Sequence, residues 1–208
     1  YEIPYMLLIT AVLLVMGMTG NEITFIEGVI LWILFIAYLL YLYILAKKGN
    51  DSGDEQSVKL YPVWKCLLFI VLGGVCVVIG SQLVVNGATT IARACGMSER
   101  FIGLTIVAFG TSLPELVTSV SAARKGNAGI AIGNIVGSNI FNILFVIGTV
   151  ALICPVPFES RFVIDTVVAI LCGVLLWGGT IRHKELRKPC GVVMLLCYAA
   201  YFVYLAAM

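Results

Sequence analysis

Charged side chains are scarce in this chain. Asp, Glu, Lys and Arg make up 12% of its 208 residues, about half the share of an ordinary soluble domain. So few charges cannot cover a water-facing surface, which excludes a disordered chain or a nucleic-acid module. The 61% hydrophobic content and the mean hydropathy of +1.08 suit a bilayer instead. Histidine occurs once, as His183 in the charged connection RHKELRK, so intramembrane Ser–His chemistry has no base to use. The seven cysteines (Cys66, Cys76, Cys95, Cys154, Cys172, Cys190 and Cys197) contain no C-x-x-C pair. They read as buried thiols acting as small hydrophobes, and exclude a disulfide scaffold or a soft-metal site. A net charge of +2 is too small to call for an acidic partner. The first apolar run lacks a basic leader and is not a signal peptide.

Long apolar runs are what the chain has. Seven spans can be read, at Ile3–Met18, Gly28–Ala46, Cys66–Ala92, Phe101–Ala123, Ile130–Cys154, Val163–Ile181 and Gly191–Ala207. At about 20 residues per crossing they form an all-α polytopic bundle. A membrane barrel would alternate polar and apolar residues, so strands are not expected. The one long polar stretch, Lys47–Lys59, reads as a flexible connection. Counting Lys and Arg on alternate sides of the seven spans gives ten on the side of that loop and three on the other. The positive-inside rule then predicts a cytoplasmic loop and an outside C-terminus.

Glu115 is the exception among eleven acidic residues, because it sits well inside the fourth span. A carboxylate at that depth costs about 2.5–3.5 kcal/mol on insertion scales and calls for a partner or a task. Ala108, Thr111, Ser112, Glu115, Thr118, Ser119 and Ala122 recur at three- and four-residue spacing and predict one small, polar helix face. Pro114 removes a backbone N–H beside the acid and predicts a kink or break, freeing carbonyls near Ala108–Gly110. In the fifth span Asn134, Ser138 and Asn142 fall on one face, and Gly133 with Gly137 predicts a close helix approach.

Carboxylate, hydroxyls of Thr111, Ser112 and Ser138, the Asn142 amide and freed carbonyls make an all-oxygen set that suits hard cations such as Ca²⁺ and Na⁺. The same residue types also serve as packing glue, and a lone membrane Glu can sit protonated and hydrogen-bonded. The coincidence of acid, proline break and two polar stripes favours a cation site.

The segments GLTIVAFGTSLPELVTSVSAARKG (Gly103–Gly126) and IAIGNIVGSNIFNILFVIGT (Ile130–Thr149) closely resemble an α-repeat of the sodium/calcium exchanger families. Among them the bacterial and archaeal calcium/sodium antiporters are nearest in character. The resemblance implies a ten-helix transporter of two inverted five-helix repeats, and this chain would match helices four to ten. Residues 1–48 would be the last two helices of the first repeat, 49–63 a cytoplasmic linker, and 64–208 the second repeat with its motif at 103–149.

By the same resemblance Glu115 would bind both Ca²⁺ and Na⁺, and Thr111, Ser112, Ser138 and the Ala108 carbonyl would offer further oxygens. Asn142 stands where relatives have Asn or Asp, which leaves the ion ratio and any K⁺ or H⁺ role open. No second GTSLPE or GNxxGSN motif occurs, so the expectation is a C-terminal fragment whose partner is the missing N-terminal repeat.

The implied activity is Na⁺-driven Ca²⁺ exchange, with no cofactor, in a bacterial or archaeal cell membrane. A cation channel, or a structural or regulatory membrane subunit, is the alternative. An enzyme is not expected: Asp165 reads as the helical partner of Arg161 four residues earlier. Trp32, Trp64 and Trp177 read as interface anchors.

Overall fold

A computed structural model describes residues 2–49, 62–97, 99–181, 186 and 188–207, almost all of them helical. The helices are α1 (Glu2–Gly20), α2 (Phe25–Gly49), α3 (Val63–Ala94), α4 (Glu99–Ile102), α5 (Ala108–Thr111), α6 (Leu113–Arg124), α7 (Ala128–Phe141), α8 (Gly148–Ile153), α9 (Ser160–Thr180) and α10 (Lys188–Ala207). Two π-helical segments interrupt them, π1 (Gly103–Val107) and π2 (Asn142–Ile147). The centre of the expected linker, His183 and the Arg161 side chain of the expected Arg161–Asp165 pair lie outside the described residues.

Among the described residues five helices are long and apolar enough to cross a membrane. A bent pair, Thr105–Thr111 with Leu113–Arg124, would make a sixth span, and Lys188–Tyr204 is a shorter apolar helix. Proline placement explains several of the boundaries. Pro4 and Pro189 lie in the first turns of α1 and α10, Pro62 precedes α3, and Pro114 opens α6. At these positions the missing N–H would have no helical acceptor anyway.

The chain divides into two compact units, Tyr1–Gly53 with Ala128–Tyr198, and Asp54–Asn127 with Ala199–Met208. In the first unit α1 packs on α9 and α7, and α2 packs on α8 and π2. The one buried hydrophobic cluster among the described residues lies in this unit, with Ile9, Leu31, Val136, Ile140 and Leu144 at its centre. Small residues let the helices close up. A Cβ on Gly28 would come 2.9 Å from that of Ala151, and one on Gly17 would overlap the Phe158 ring.

One short sheet amends the expectation of helices without strands. β1 (Glu22–Ile23) pairs antiparallel with β2 (Val156–Pro157), and the Phe158 N–H donates to the Asn21 carbonyl at 2.7 Å. The links α1–α2 and α8–α9 emerge side by side because the helices they join are neighbours. Pairing there satisfies backbone groups that no helix covers.

In the second unit α3 packs on α4, π1, α5 and α6. Two of its helices end alike. Gly96 (φ +77°) and Gly126 (φ +79°) adopt the left-handed conformation just past α3 and α6. Met97 and Asn127 N–H then reach back to the carbonyls of Ala92 and Ala122, at 3.0 and 2.9 Å, which are Schellman terminations. Arg93 and Glu99 brace the α3–α4 turn with two hydrogen bonds of 2.6 and 2.8 Å. The Arg93 hydrogen bond holds the exposed Glu99 carboxyl below its ordinary range.

The cysteines correct the sequence reading, since five of the seven are exposed and Cys172 and Cys190 are half-buried. A chain dissolved in lipid has apolar surface on the outside, so a thiol needs no burial to avoid water. The Trp32 ring packs against Phe35 and Phe145 within the first unit.

Candidate cation site

The second unit carries the acid on a broken helix. The axis bends by 52° between Thr105–Thr111 and Leu113–Arg124, and Ser112 lies at the break between α5 and α6. Pro114 is the cause, because it cannot donate to the turn before it. The Ser112 N–H instead reaches the Phe109 carbonyl at 3.1 Å. α6 therefore starts afresh inside the apolar segment, and Glu115 sits in its first turn. The N-terminal end of a helix favours negative charge, so the break offsets part of the cost of placing a carboxylate there.

Glu115 is half-buried and its Oε2 is shielded from solvent. Along the predicted stripe, Ser119 and Ala122 are buried, while Thr111, Ser112 and Thr118 are exposed. The Thr118 hydroxyl turns back to the Pro114 and Glu115 carbonyls, at 3.0 Å each. The break divides the six-residue set: the Ala108 backbone and Thr111 lie on α5, and Ser112 stands at the joint.

Gly110 secures this geometry against α3. A Cβ there would overlap the Val85 side chain, so α3 and α5 can approach this closely only with glycine at that position. Sequence reasoning reads Gly110, with Gly103, as adding flexibility and allowing close packing; the close packing is present at Gly110, and Val85 is the partner it does not name. It also passed over Thr89, one turn along α3. Thr90 satisfies its hydroxyl on the Asn86 carbonyl at 2.8 Å, whereas Thr89 Oγ1 is shielded from solvent and has no hydrogen-bond partner among the described residues.

The first unit carries the other stripe. Asn134 and Ser138 lie half-buried on α7, and Asn142, exposed, is the first residue of π2. Asn139, beside Ser138, folds its amide onto the Ile135 carbonyl at 2.9 Å. The predicted close approach at Gly133 and Gly137 has no partner helix among the described residues. Among the described residues no atom lies within 4 Å of a Cβ placed on either glycine. The close packing falls on Gly28 and Gly148 instead, because the face that α7 and α8 bury runs through Val136, Ile140, Leu144, Gly148 and Ala151.

That buried stripe accounts for π2. Four-residue steps overshoot an α-helical turn by about 40° each, or about 120° from Val136 to Gly148. One extra residue in a π turn takes back about 100°. The strict four-residue spacing was therefore a readable signal for the bulge, although only the α-helical period was considered.

Ligand chemistry is all oxygen and amide. Among the described residues no group of three or more His, Cys, Asp or Glu side chains gathers, so a site here would rest on one carboxylate, hydroxyls and backbone. A cleft of about 500 Å³ in the first unit, lined by Glu2, Tyr41, Gly133, Trp177 and Thr180 among others, includes none of the six predicted ligands.

Comparison with known proteins agrees with the motif reading. A family model described as sodium/calcium exchanger protein matches residues 65–207. Sodium/calcium exchanger MaX1 of Methanosarcina acetivorans is 38% identical over 142 residues, which cover 68% of this chain and 41% of that protein. Inner membrane protein YrbG of Escherichia coli is 32% identical over 214 residues, covering 93% and 62%. The solved structure of the sodium/calcium exchanger from Methanococcus jannaschii matches with a TM-score of 0.78 at 31% identity, over 97% of this chain and 63% of that one. The chain spans less than two thirds of the length of each.

Proposed function

The chain belongs to the sodium/calcium exchanger protein family, and from that premise we propose that it is part of a secondary transporter exchanging Na⁺ for Ca²⁺ across a membrane. The observation that carries this reading is Glu115 in the first turn of a helix restarted inside an apolar segment. Half-helix ends at membrane depth are where transporters of this kind hold ions. The residues we take as ligands are those the two motifs supply: Glu115, Thr111, Ser112, the Ala108 carbonyl, Ser138 and Asn142.

Na⁺ and Ca²⁺ are substrates that compete for the same hard oxygens. Occupancy by one excludes the other, so exchange needs no chemistry beyond alternating access. One carboxylate is a poor counter-charge for Ca²⁺. The second comes from a companion α-repeat of the same protein, which the shorter length relative to family members supports. In this arrangement residues 64–208 are the second repeat, 1–48 end the first, and 49–63 link them on the cytoplasmic side.

The test is Na⁺-gradient-dependent ⁴⁵Ca²⁺ uptake into vesicles carrying the full-length protein. Uptake that follows the Na⁺ gradient and disappears with Glu115→Gln is expected. Exchange that survives this substitution overturns the site, and a passive conductance indifferent to Na⁺ favours a channel.

A further inference from the structure

Asn142 opens a π turn, and that turn is gripped from one side by α2. Trp32 donates its indole N–H to Thr149 Oγ1 at 3.2 Å, bridging residues far apart in sequence. Its ring meets Phe145 at 5.2 Å, and Phe35 meets Phe141 and Phe145 at 6.0 and 5.5 Å. Phe141 and Phe145, on either side of the start of π2, stack at 4.7 Å with an angle of 23°. A Cβ on Gly148, the residue after π2, would stand 3.2 Å from Leu31 Cβ and 3.3 Å from Trp32 Cδ1, tighter than ordinary contact.

A π turn is less favourable than the α turn it replaces and persists where its surroundings stabilise it. Here two rings of α2, Trp32 and Phe35, meet Phe141 and Phe145 of the distorted helix, with one hydrogen bond and a glycine contact beside them. We propose that Trp32 and Phe35 are positioning residues for Asn142. They hold π2 in its widened form, and so set where the amide next to Phe141 stands relative to Ser138. Neither aromatic residue touches an ion. They act on ion affinity through the backbone of the turn.

This proposal rests on the exchange reading for its transport readout, and it predicts coupling. In the full-length protein, Phe35→Leu keeps apolar volume but removes three ring contacts, with Trp32, Phe141 and Phe145. It should raise the half-saturating Na⁺ concentration roughly two- to thirty-fold, within the range that neighbouring residues couple over, with the maximal rate per folded protein retained. Once Asn142→Ala has removed the amide, the same substitution should add no further change.

Thr149→Val should act in the same direction, and Thr149→Ser, which restores the acceptor, should reverse it. Additive effects in the Asn142→Ala background, or a loss confined to the amount of folded protein, overturn the proposal. If the parent protein shows no Na⁺-dependent flux, the exchange reading fails. The same double-mutant cycle read as the Na⁺-induced rise in melting temperature then decides the clamp: non-additivity supports it, and additivity or the absence of any Na⁺ effect overturns it.

Discussion

The two units hold their polar residues by different physical means. Around Asn142 the first unit has a continuous core, from Ile9 on α1 through Leu31 on α2 to Val136, Ile140 and Leu144. Around Glu115 the second unit buries little: Ala92, Ile102, Ser119 and Ala122 are its well-covered side chains among the described residues, and the most apolar window of α3 has none. The first unit distorts its helix by packing, with a four-residue stripe drawing a π turn into place. The second distorts its helix by covalent structure, since Pro114 interrupts the ladder whatever surrounds it. Substitutions should therefore disturb the first unit through contacts, and the second through the identity of residues at the break.

The largest effect should come from Glu115. Glu115→Gln should lower Na⁺-dependent Ca²⁺ uptake at least about a hundredfold, consistent with the 3–5 kcal/mol typical of breaking a buried charge pair. No substitution of comparable size around Asn142 should match it. Next is the pair at the break, where Gly110→Ala should destabilise the detergent-solubilised protein by about 1–3 kcal/mol through overpacking, and Val85→Ala should recover part of that. A thermal melt of the two single variants and the double variant checks it. If the double variant is as unstable as the sum, the Gly110–Val85 contact is not what fixes the break.

Smaller is Gly148→Ala in the first unit, which meets Leu31 and Trp32 at 3.2 and 3.3 Å. Those neighbours can give slightly, so a loss of about 1 kcal/mol is expected in the same assay. Asn142→Asp should lower the half-saturating Ca²⁺ concentration by about an order of magnitude, because affinity of oxygen sites follows ligand charge. Isotope uptake at varied Ca²⁺ measures it.

The smallest effect is at Glu99. Its carboxyl is held below the ordinary range by Arg93, so any stabilisation is present above that range and lost as pH falls through the folded-state value. Both groups are exposed, and Glu99→Gln should leave the melting temperature unchanged at moderate salt while slightly reducing its fall in acid.

Much of the candidate site was legible because it rests on local chemistry. Glu115 stands out as an acid inside an apolar run, and Pro114 beside it predicts the break that the structure has at Ser112. The GTSLPE and GNxxGSNIFN segments carried the family resemblance that the family model supports. The helix contacts were harder to read. Gly133 and Gly137 fit a packing motif yet meet nothing among the described residues, while Gly28, Gly110 and Gly148 make the close approaches. A glycine spacing says that a helix could approach; which face is used depends on what the neighbouring helices bury. The partner of Trp32 was unreadable for the same reason, since an indole suits a membrane edge and a packed interior equally well until a contact such as Thr149 is known.

The scarcity of charge, the runs of apolar residues and one acid beside one proline determined by themselves that this chain is helical, lipid-solvated and broken just before Glu115. Those are properties of single residues and their nearest neighbours along the chain. Only the tertiary structure decided that the α1–α2 and α8–α9 links would pair as strands, and that Val85 and Trp32 would face the two distorted helices. Each of these depends on which surfaces meet, and contact between residues as far apart as 32 and 149 is set by the packing of whole helices.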